Sequence, residues 1–243
     1  MNQPKLHKIL VTRTLSPEQI AWANAVGLAP VVEPALEFEF PDHFGFAEEI
    51  LEKNRDAVWV FTSQNGAESL KRLLSSSTVK TGTPKLYAVG EKTADALMEL
   101  DIEVIVPETQ DGEHLAELII SNSAKSVIHW CGDKRRDELR VALEKAEIEL
   151  IEMVVYKTKL RKMKLPQFET EAILFFSPNS VEAFRESGGF ESELPELFAV
   201  GPTTGEYLAL ESGKHVHIPA VPSTEALLEL AGEILQMNKI NSD

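Results

Sequence analysis

Hydroxyl-bearing residues recur in this chain where short apolar runs stop. Thr62 and Ser63 follow Ala57–Phe61, Ser177 follows Ala172–Phe176, Thr203 and Thr204 come just after Leu197–Val200, and Thr93 lies just inside the helical pattern after Leu86–Val89. Runs of this length, rich in β-branched and aromatic residues, read as strands, and the patterned stretches behind them read as helices. In a parallel sheet these hydroxyls collect at the carboxyl ends of the strands, where open α/β sheets bind ligands. Helix N-termini at that edge offer unpaired N–H groups and the positive end of the helix dipole to anions. The same side chains can instead cap the helices. Asn65-x-x-Glu68, Asn179-x-x-Glu182 and Thr203-x-x-Glu206 have capping-box spacing, which accounts for Asn65, Asn179 and Thr203. Ser63 and Ser177 sit two residues ahead of those caps and are open to either role.

Three further features could carry chemistry. Arg13 directly follows the first apolar run, Ile9–Thr12, and is placed for the mouth of a ligand site. Tyr156 lies in a β-like segment, Met153–Arg161, with Lys157 beside it. A tyrosine there either packs its ring on a domain and wets its hydroxyl, or offers that hydroxyl to a substrate. Lys157, Lys159, Arg161, Lys162 and Lys164 form a basic run that reads as a solvated or paired face, or as an attraction for a polyanion. His215-x-His217 has no third ligand nearby and reads as a solvated pair rather than a metal site. His129 and Cys131, flanking Trp130, read as ordinary strand residues.

The common catalytic signatures do not occur. There is no G-x-x-x-x-G-K-[ST] loop, no G-x-G-x-x-G after a strand and no G-x-S-x-G elbow. The six histidines form no metal pattern. The net charge of −15 argues against broad nucleic-acid binding, which needs a basic face; a local site for a small anion remains compatible with it, because exposed charges are screened beyond about 8 Å. No apolar run approaches the roughly 20 residues of a membrane helix. The polar stretch Met1–Lys8 lacks the apolar segment of a signal peptide, and Cys131 is the single cysteine, so a reducing cytoplasm is the expected location.

The elements that must position these residues come as a repeat. Tyr87-Ala88-Val89-Gly90 resembles Phe198-Ala199-Val200-Gly201 at an offset of 111 residues. Phe61-Thr62-Ser63-Gln64-Asn65 aligns with Phe175-Phe176-Ser177-Pro178-Asn179, and Pro107…Leu115 aligns with Pro219…Leu227. Three blocks in one order imply two copies of one α/β unit. Strands are also expected at Val104–Val106, Val127–Trp130 and Val216–Ile218, and a capped helix start at Ser16-Pro17-Glu18-Gln19. The N-terminal unit, Lys8–Val32, lacks a partner nearby in sequence. The β-like segments Glu33–Phe40 and Met153–Arg161 can pair antiparallel, with Glu37 and Glu39 facing Lys157, Lys159 and Arg161. That pairing predicts a discontinuous domain, 1–34 with 162–243, hinge strands 35–40 and 153–161, and an inserted domain, 41–152.

Val11-Thr12-Arg13, Val60-Phe61-Thr62-Ser63-Gln64-Asn65, Ala88-Val89-Gly90-x-x-Thr93, Val155-Tyr156-Lys157-Thr158, Phe176-Ser177-Pro178-Asn179, Val200-Gly201-Pro202-Thr203-Thr204 and Pro222-Ser223-Thr224-Glu225-Ala226-Leu227 together resemble the uroporphyrinogen-III synthase family. The resemblance spans nearly the whole chain and lies in the ordered set rather than in any one motif. It implies an α/β fold of two flavodoxin-like parallel-sheet domains joined by a two-strand antiparallel β-ladder hinge. It implies a cofactor-free hydro-lyase that cyclises hydroxymethylbilane, a linear tetrapyrrole with eight carboxylates, in the cleft between the domains, inverting ring D and losing water. Tyr156 matches the family's tyrosine and is the candidate general acid. Arg13, Thr62, Ser63, Gln64, Thr93, Ser177, Asn179, Gly201, Thr203 and Thr204 are the candidate substrate-binding residues. Glu91 and Lys92 depart from the small or apolar residues expected after Val89-Gly90. The expected partner is the small-molecule substrate alone, with no nucleic acid and no membrane, and a monomer is the expected state. Two other readings compete: a non-catalytic tetrapyrrole or small-anion binding module on the same scaffold, and a two-domain binder of the periplasmic type.

Overall fold

The structure is a computed structural model that describes residues 6–76, 84–100, 102–165 and 170–240. The first five residues of the polar start, and residues 77–83 within the expected inserted domain, lie outside the described residues. The chain forms two compact units, one from residues 1–37 with 159–243, the other from residues 38–158.

The first unit holds β1 (His7–Val11), α1 (Pro17–Ala25) and β2 (Leu28–Val32). The strand β3 (Leu36–Glu39) leads out of it. The second unit then runs α2 (Gly45–Lys53), β4 (Val58–Phe61), α3 (Gln64–Ser76), β5 (Leu86–Ala88), α4 (Glu91–Met98), β6 (Val104–Ile105), α5 (Gly112–Ser121), β7 (Ser126–Gly132), α6 (Glu138–Lys145) and β8 (Glu149–Leu160). The first unit resumes with β9 (Ala172–Phe175), α7 (Pro178–Glu186), β10 (Glu196–Ala199), α8 (Pro202–Ser212) and α9 (Thr224–Ile240). The fold is mixed α/β with parallel sheets.

The two copies of the repeat build the same local order. In the second unit β7 and β5 flank β4, and β6 lies beyond β5, all parallel. In the first, β1 and β10 flank β9, all parallel. The next pairing beyond β10 shrinks to one parallel bridge, Phe198 to His217, so the strand expected at Val216–Ile218 is a single contact. On the far side β8 follows β7, and β2 follows β1. Full sheet orders are β10-β9-β1-β2 and β3-β8-β7-β4-β5-β6. The segments that complete each sheet thus come after the repeat in one unit and at the start of the chain in the other.

Burial follows the sequence pattern. Strands β4 and β9 are apolar throughout because helices cover both faces of a parallel sheet. In α3, Ala67, Leu70 and Leu73 are fully buried at helical spacing. The Ser16–Gln19 capping box forms as its sequence predicts. The other caps are corrected. Ser177, not Asn179, caps α7, exchanging hydrogen bonds with Ser180 across Pro178 at the first helical position. Ser63, not Asn65, accepts the N–H of Gly66 at 3.1 Å and starts α3. Gly201, in extended conformation, precedes α8 with no side-chain cap, so Thr203 is not a capping residue. The helices α3 and α7 start two residues earlier than the Asn spacing suggested, because the hydroxyls of Ser63 and Ser177 reach the third helical N–H. Arg161 pairs with Glu33 at 3.6 Å.

Helix α3 lies so close to β7 that a Cβ on Gly66 would sit 2.6 Å from the carbonyl oxygen of Trp130. Backbone cannot yield there as a flexible side chain would. Gly66→Ala should therefore destabilise the protein by about 1–3 kcal/mol, read as a lower urea midpoint with unchanged slope.

Candidate functional site

A cavity of about 640 Å³ opens at the carboxyl ends of the second unit's strands. Thr62 and Ser63 leave β4 into it, His129 and Gly132 reach it from β7, and Tyr156 from β8. The placement of Tyr156 is not what alternation predicts. Met153 and Val155 face the core that packs α3, and Val154 is exposed, so Tyr156 should turn outward with Val154. The ladder slips instead: Cys131 pairs with Val154, but Gly132 pairs with Tyr156. This bulge leaves Val155 as an extra residue and brings Tyr156 into the same core as Val155, with 8% of its surface exposed.

Three contacts hold the ring. Phe38 meets it edge-on at 5.8 Å between centroids, and Phe40 lies at 6.1 Å. Gly132 supplies the space, since a Cβ there would lie 2.6 Å from the ring. The Tyr156 hydroxyl shares a hydrogen bond of 3.0 Å with Ser63 Oγ. Burial raises the tyrosine pKa above its usual value of 10.0 and the Ser63 hydrogen bond opposes that rise, so the phenol is protonated at neutral pH.

Beside this pair, Thr62 Oγ1 and His129 Nε2 share a hydrogen bond of 2.8 Å. His129 is 3% exposed. Burial pushes its pKa down from 6.5 to about 4; Glu152 opposes the shift and Arg135 adds to it. The imidazole is thus a neutral hydrogen-bonding group in the cavity wall. Burial likewise pushes the Cys131 thiol up to about 11, which makes it inert. Arg135 forks onto Glu152, with Nε 2.6 Å from Oε1 and Nη2 on Oε2, and this contact holds the Glu152 carboxyl below its usual range.

The other candidates fall differently. Gln64 is exposed and donates through Nε2 to the carbonyl of Lys92 at 3.2 Å. Thr93 is 6% exposed within α4 and is outside the cavity lining. In the first unit, Arg13, Ser177 and Gly201 follow the adjacent parallel strands β1, β9 and β10. The Arg13 guanidinium lies 5.2 Å over the Phe176 ring, and Nη1 reaches Thr224 Oγ1 at 3.5 Å. Asn179 is half-buried in the first turn of α7, Thr203 is exposed and Thr204 is buried in α8. His129, expected as an ordinary strand residue, lines the cavity, as do Gly132, Lys134, Arg135 and Arg136, which were not among the candidates. Three consecutive cations, Lys134, Arg135 and Arg136, one residue past the end of β7 in a chain of net charge −15, were the available signal. His215 and His217 touch ring to ring, with centroids at 4.6 Å, and His217 bonds Glu196. No group of three metal-ligating side chains occurs among the described residues.

The His129 shift has a sign that experiment can read. Its folded pKa lies below its unfolded value, so the unfolded chain takes up a proton first as pH falls through 6.5 toward 4. The stabilising preference for neutral imidazole is complete above 6.5 and is lost below it. Between pH 8 and pH 5 this amounts to about 2 kcal/mol. His129→Gln keeps a partner for Thr62 but does not titrate; its urea-unfolding free energy should fall by about 2 kcal/mol less over that interval than the wild type's.

The family described as Uroporphyrinogen-III synthase HemD matches residues 19–229. Among solved structures, uroporphyrinogen-III synthetase from Helicobacter pylori aligns with a TM-score of 0.65 at 22% identity, over 94% of this chain and 100% of that one. A mutant uroporphyrinogen III synthase from the extremely thermophilic bacterium Thermus thermophilus aligns with a TM-score of 0.59 at 17% identity, over 96% of this chain and 99% of that one. These likenesses show a shared α/β fold, and no helix among the described residues is long and apolar enough to cross a membrane. The match over 19–229 decides the family: this chain belongs to the uroporphyrinogen-III synthases of the HemD family.

Proposed function

We infer that the chain is a uroporphyrinogen-III synthase, which cyclises hydroxymethylbilane with inversion of ring D and loss of water, and that Tyr156 is its general acid. The observation that carries the role of Tyr156 is its protonated hydroxyl, held 3.0 Å from Ser63 in the cavity wall. Ser63 Oγ already accepts the Gly66 N–H. Its own proton can therefore turn to the phenol oxygen, leaving the tyrosine proton free for the substrate.

The chemistry then balances. The hydroxyl of the terminal hydroxymethyl group leaves as water, taking the Tyr156 proton as the pyrrole nitrogen pushes the C–O bond apart and its methylene stays on ring A. The negative charge developing on the phenol oxygen meets the Ser63 hydroxyl. The substituted carbon of ring D attacks the azafulvene cation to give a spiro intermediate; its older bond to the ring C methylene then breaks, leaving a second azafulvene cation on ring C, which the free α-carbon of ring D captures to close the macrocycle. The proton released on restoring the pyrrole returns to Tyr156, so the cycle needs neither metal nor redox cofactor. Folding the bilane so that the substituted carbon meets the cation supplies proximity, which can lower a barrier by several kcal/mol.

The finer architecture belongs to the same reading. We infer two flavodoxin-like units; the chain-order pattern β2-β1-β9-β10 with the His217 bridge beyond it is the 2-1-3-4-5 order of that fold. The segments 35–40 and 153–161 act as hinge strands between a discontinuous domain and an inserted one. Arg13, Ser177, Asn179, Gly201, Thr203 and Thr204 contact substrate from the first unit, and Thr62, Ser63, Gln64 and Thr93 from the second. On the same proposal the enzyme is a hydro-lyase that works in the cytoplasm as a monomer.

Fresh hydroxymethylbilane tests the activity: the type III isomer is expected, and formation of the type I isomer alone would defeat it. Tyr156→Phe should slow turnover by roughly 10²-fold, while unchanged turnover removes the phenol from the mechanism. Gly132→Ala, which drives a Cβ into the ring and parts Tyr156 from Ser63, should approach the same loss while Ala at Lys157 has little effect.

A further inference from the structure

We propose that Lys134 and Arg136 form a carboxylate-binding pair in the cavity wall, which takes the two acid side chains of one pyrrole ring. Resting on the tetrapyrrole reading above, the proposal assigns the second unit a subsite. Eight carboxylates on four rings give two per ring, and two cations spaced by one residue can meet one such pair.

The loop after β7 is built to present them. Its middle cation, Arg135, is committed to structure: besides its fork on Glu152, Nη1 donates to the carbonyls of Gly132 at 3.4 Å and Asp133 at 3.5 Å. Asp133 ties the same loop to β8, donating its N–H to the Tyr156 carbonyl at 3.2 Å and accepting the Thr158 N–H on Oδ1 at 2.8 Å. A loop anchored at Asp133 and Arg135 leaves little backbone freedom to Lys134 between them and Arg136 just after them. Lys134 and Arg136 are exposed, line the cavity, and have no ion pair or hydrogen bond among the described residues.

Arg72, Arg140, Arg161 and Arg185 each hold a carboxylate, whereas among the described residues Lys134 and Arg136 line the cavity without one. The acids that share the cavity do not neutralise the pair. Asp111 caps α5 and holds His114, while Glu113 and Glu138 sit in the first turns of α5 and α6. There they suit the pyrrole N–H donors of the same ligand. A ligand with both carboxylates and N–H groups complements this wall. The anchoring of the loop to Tyr156 means that seating a ring on Lys134 and Arg136 also registers the substrate against the acid.

Uroporphyrin, which carries the same eight carboxylates, is the probe, titrated against the whole chain by fluorescence quenching. Lys134→Gln with Arg136→Gln should weaken its binding about tenfold at low salt and flatten the salt dependence. Lys125→Gln with Lys145→Gln removes equal charge elsewhere and should leave affinity nearly unchanged. In turnover of hydroxymethylbilane the first pair should raise KM with kcat held. Unaltered uroporphyrin binding in the first variant, an equal loss in the second, or no binding by the wild type overturns the subsite. A wild type that binds uroporphyrin through this pair but yields no type III isomer refutes the enzymatic reading and keeps the subsite. An active enzyme whose KM ignores both substitutions refutes the subsite and keeps the reaction.

Discussion

One irregular step in a ladder organises the second unit. Between Cys131 and Gly132 the pairing of β7 with β8 skips Val155, and the strand turns Tyr156 inward instead of outward. A regular parallel ladder would expose this side chain beside Val154. The bulge works only because Gly132 has no Cβ, since any other residue would occupy the space of the ring. Phe38 and Phe40 then close over the tyrosine and remove it from water, which raises its pKa and keeps it a proton donor. Bulges next to functional sites commonly re-aim a side chain in this way.

The residue that meets the tyrosine has two duties. Ser63 starts α3 by accepting the Gly66 N–H and shares a hydrogen bond with Tyr156. One hydroxyl therefore both starts a helix and holds the Tyr156 hydroxyl in the cavity wall. In the other copy of the repeat, Ser177 does the capping with Ser180 as its reciprocal partner, and the nearby cation is Arg13, stacked on Phe176. The repeated scaffold explains why both serines sit at the ends of their strands. The residues around each serine differ, and with them the chemistry each unit can offer.

Charge acts locally in this protein. A chain of net charge −15 would repel a polyanionic substrate if the charge were smeared evenly. Lys134, Arg135 and Arg136 instead gather at the cavity, and Glu152 fixes the middle one. Acids exposed elsewhere on the surface are screened by solvent and salt. Neutral His129 adds hydrogen bonding without adding charge, because its burial disfavours the protonated form.

Much of the fold was legible in the amino-acid order. Apolar runs such as Ala172–Phe175 and Val58–Phe61 mark buried parallel strands, because a strand covered on both faces needs no polar alternation. The spacing of Tyr87–Gly90 and Phe198–Gly201 announced the repeat, and the Ser16–Gln19 box formed as written. Local hydrogen bonding and hydrophobic periodicity act over a few residues, so they leave a trace in the sequence. Helix caps were misplaced by two residues, since Asn65 and Ser63 both satisfy a local pattern and only the packed helix selects one. The cavity was invisible for a stronger reason. Thr62 meets His129 across 67 positions and Ser63 meets Tyr156 across 93, and the bulge that allows the second contact depends on register between two strands and on the room beside Gly132. Register and close approach are set by the whole sheet, and no window of neighbouring residues contains them.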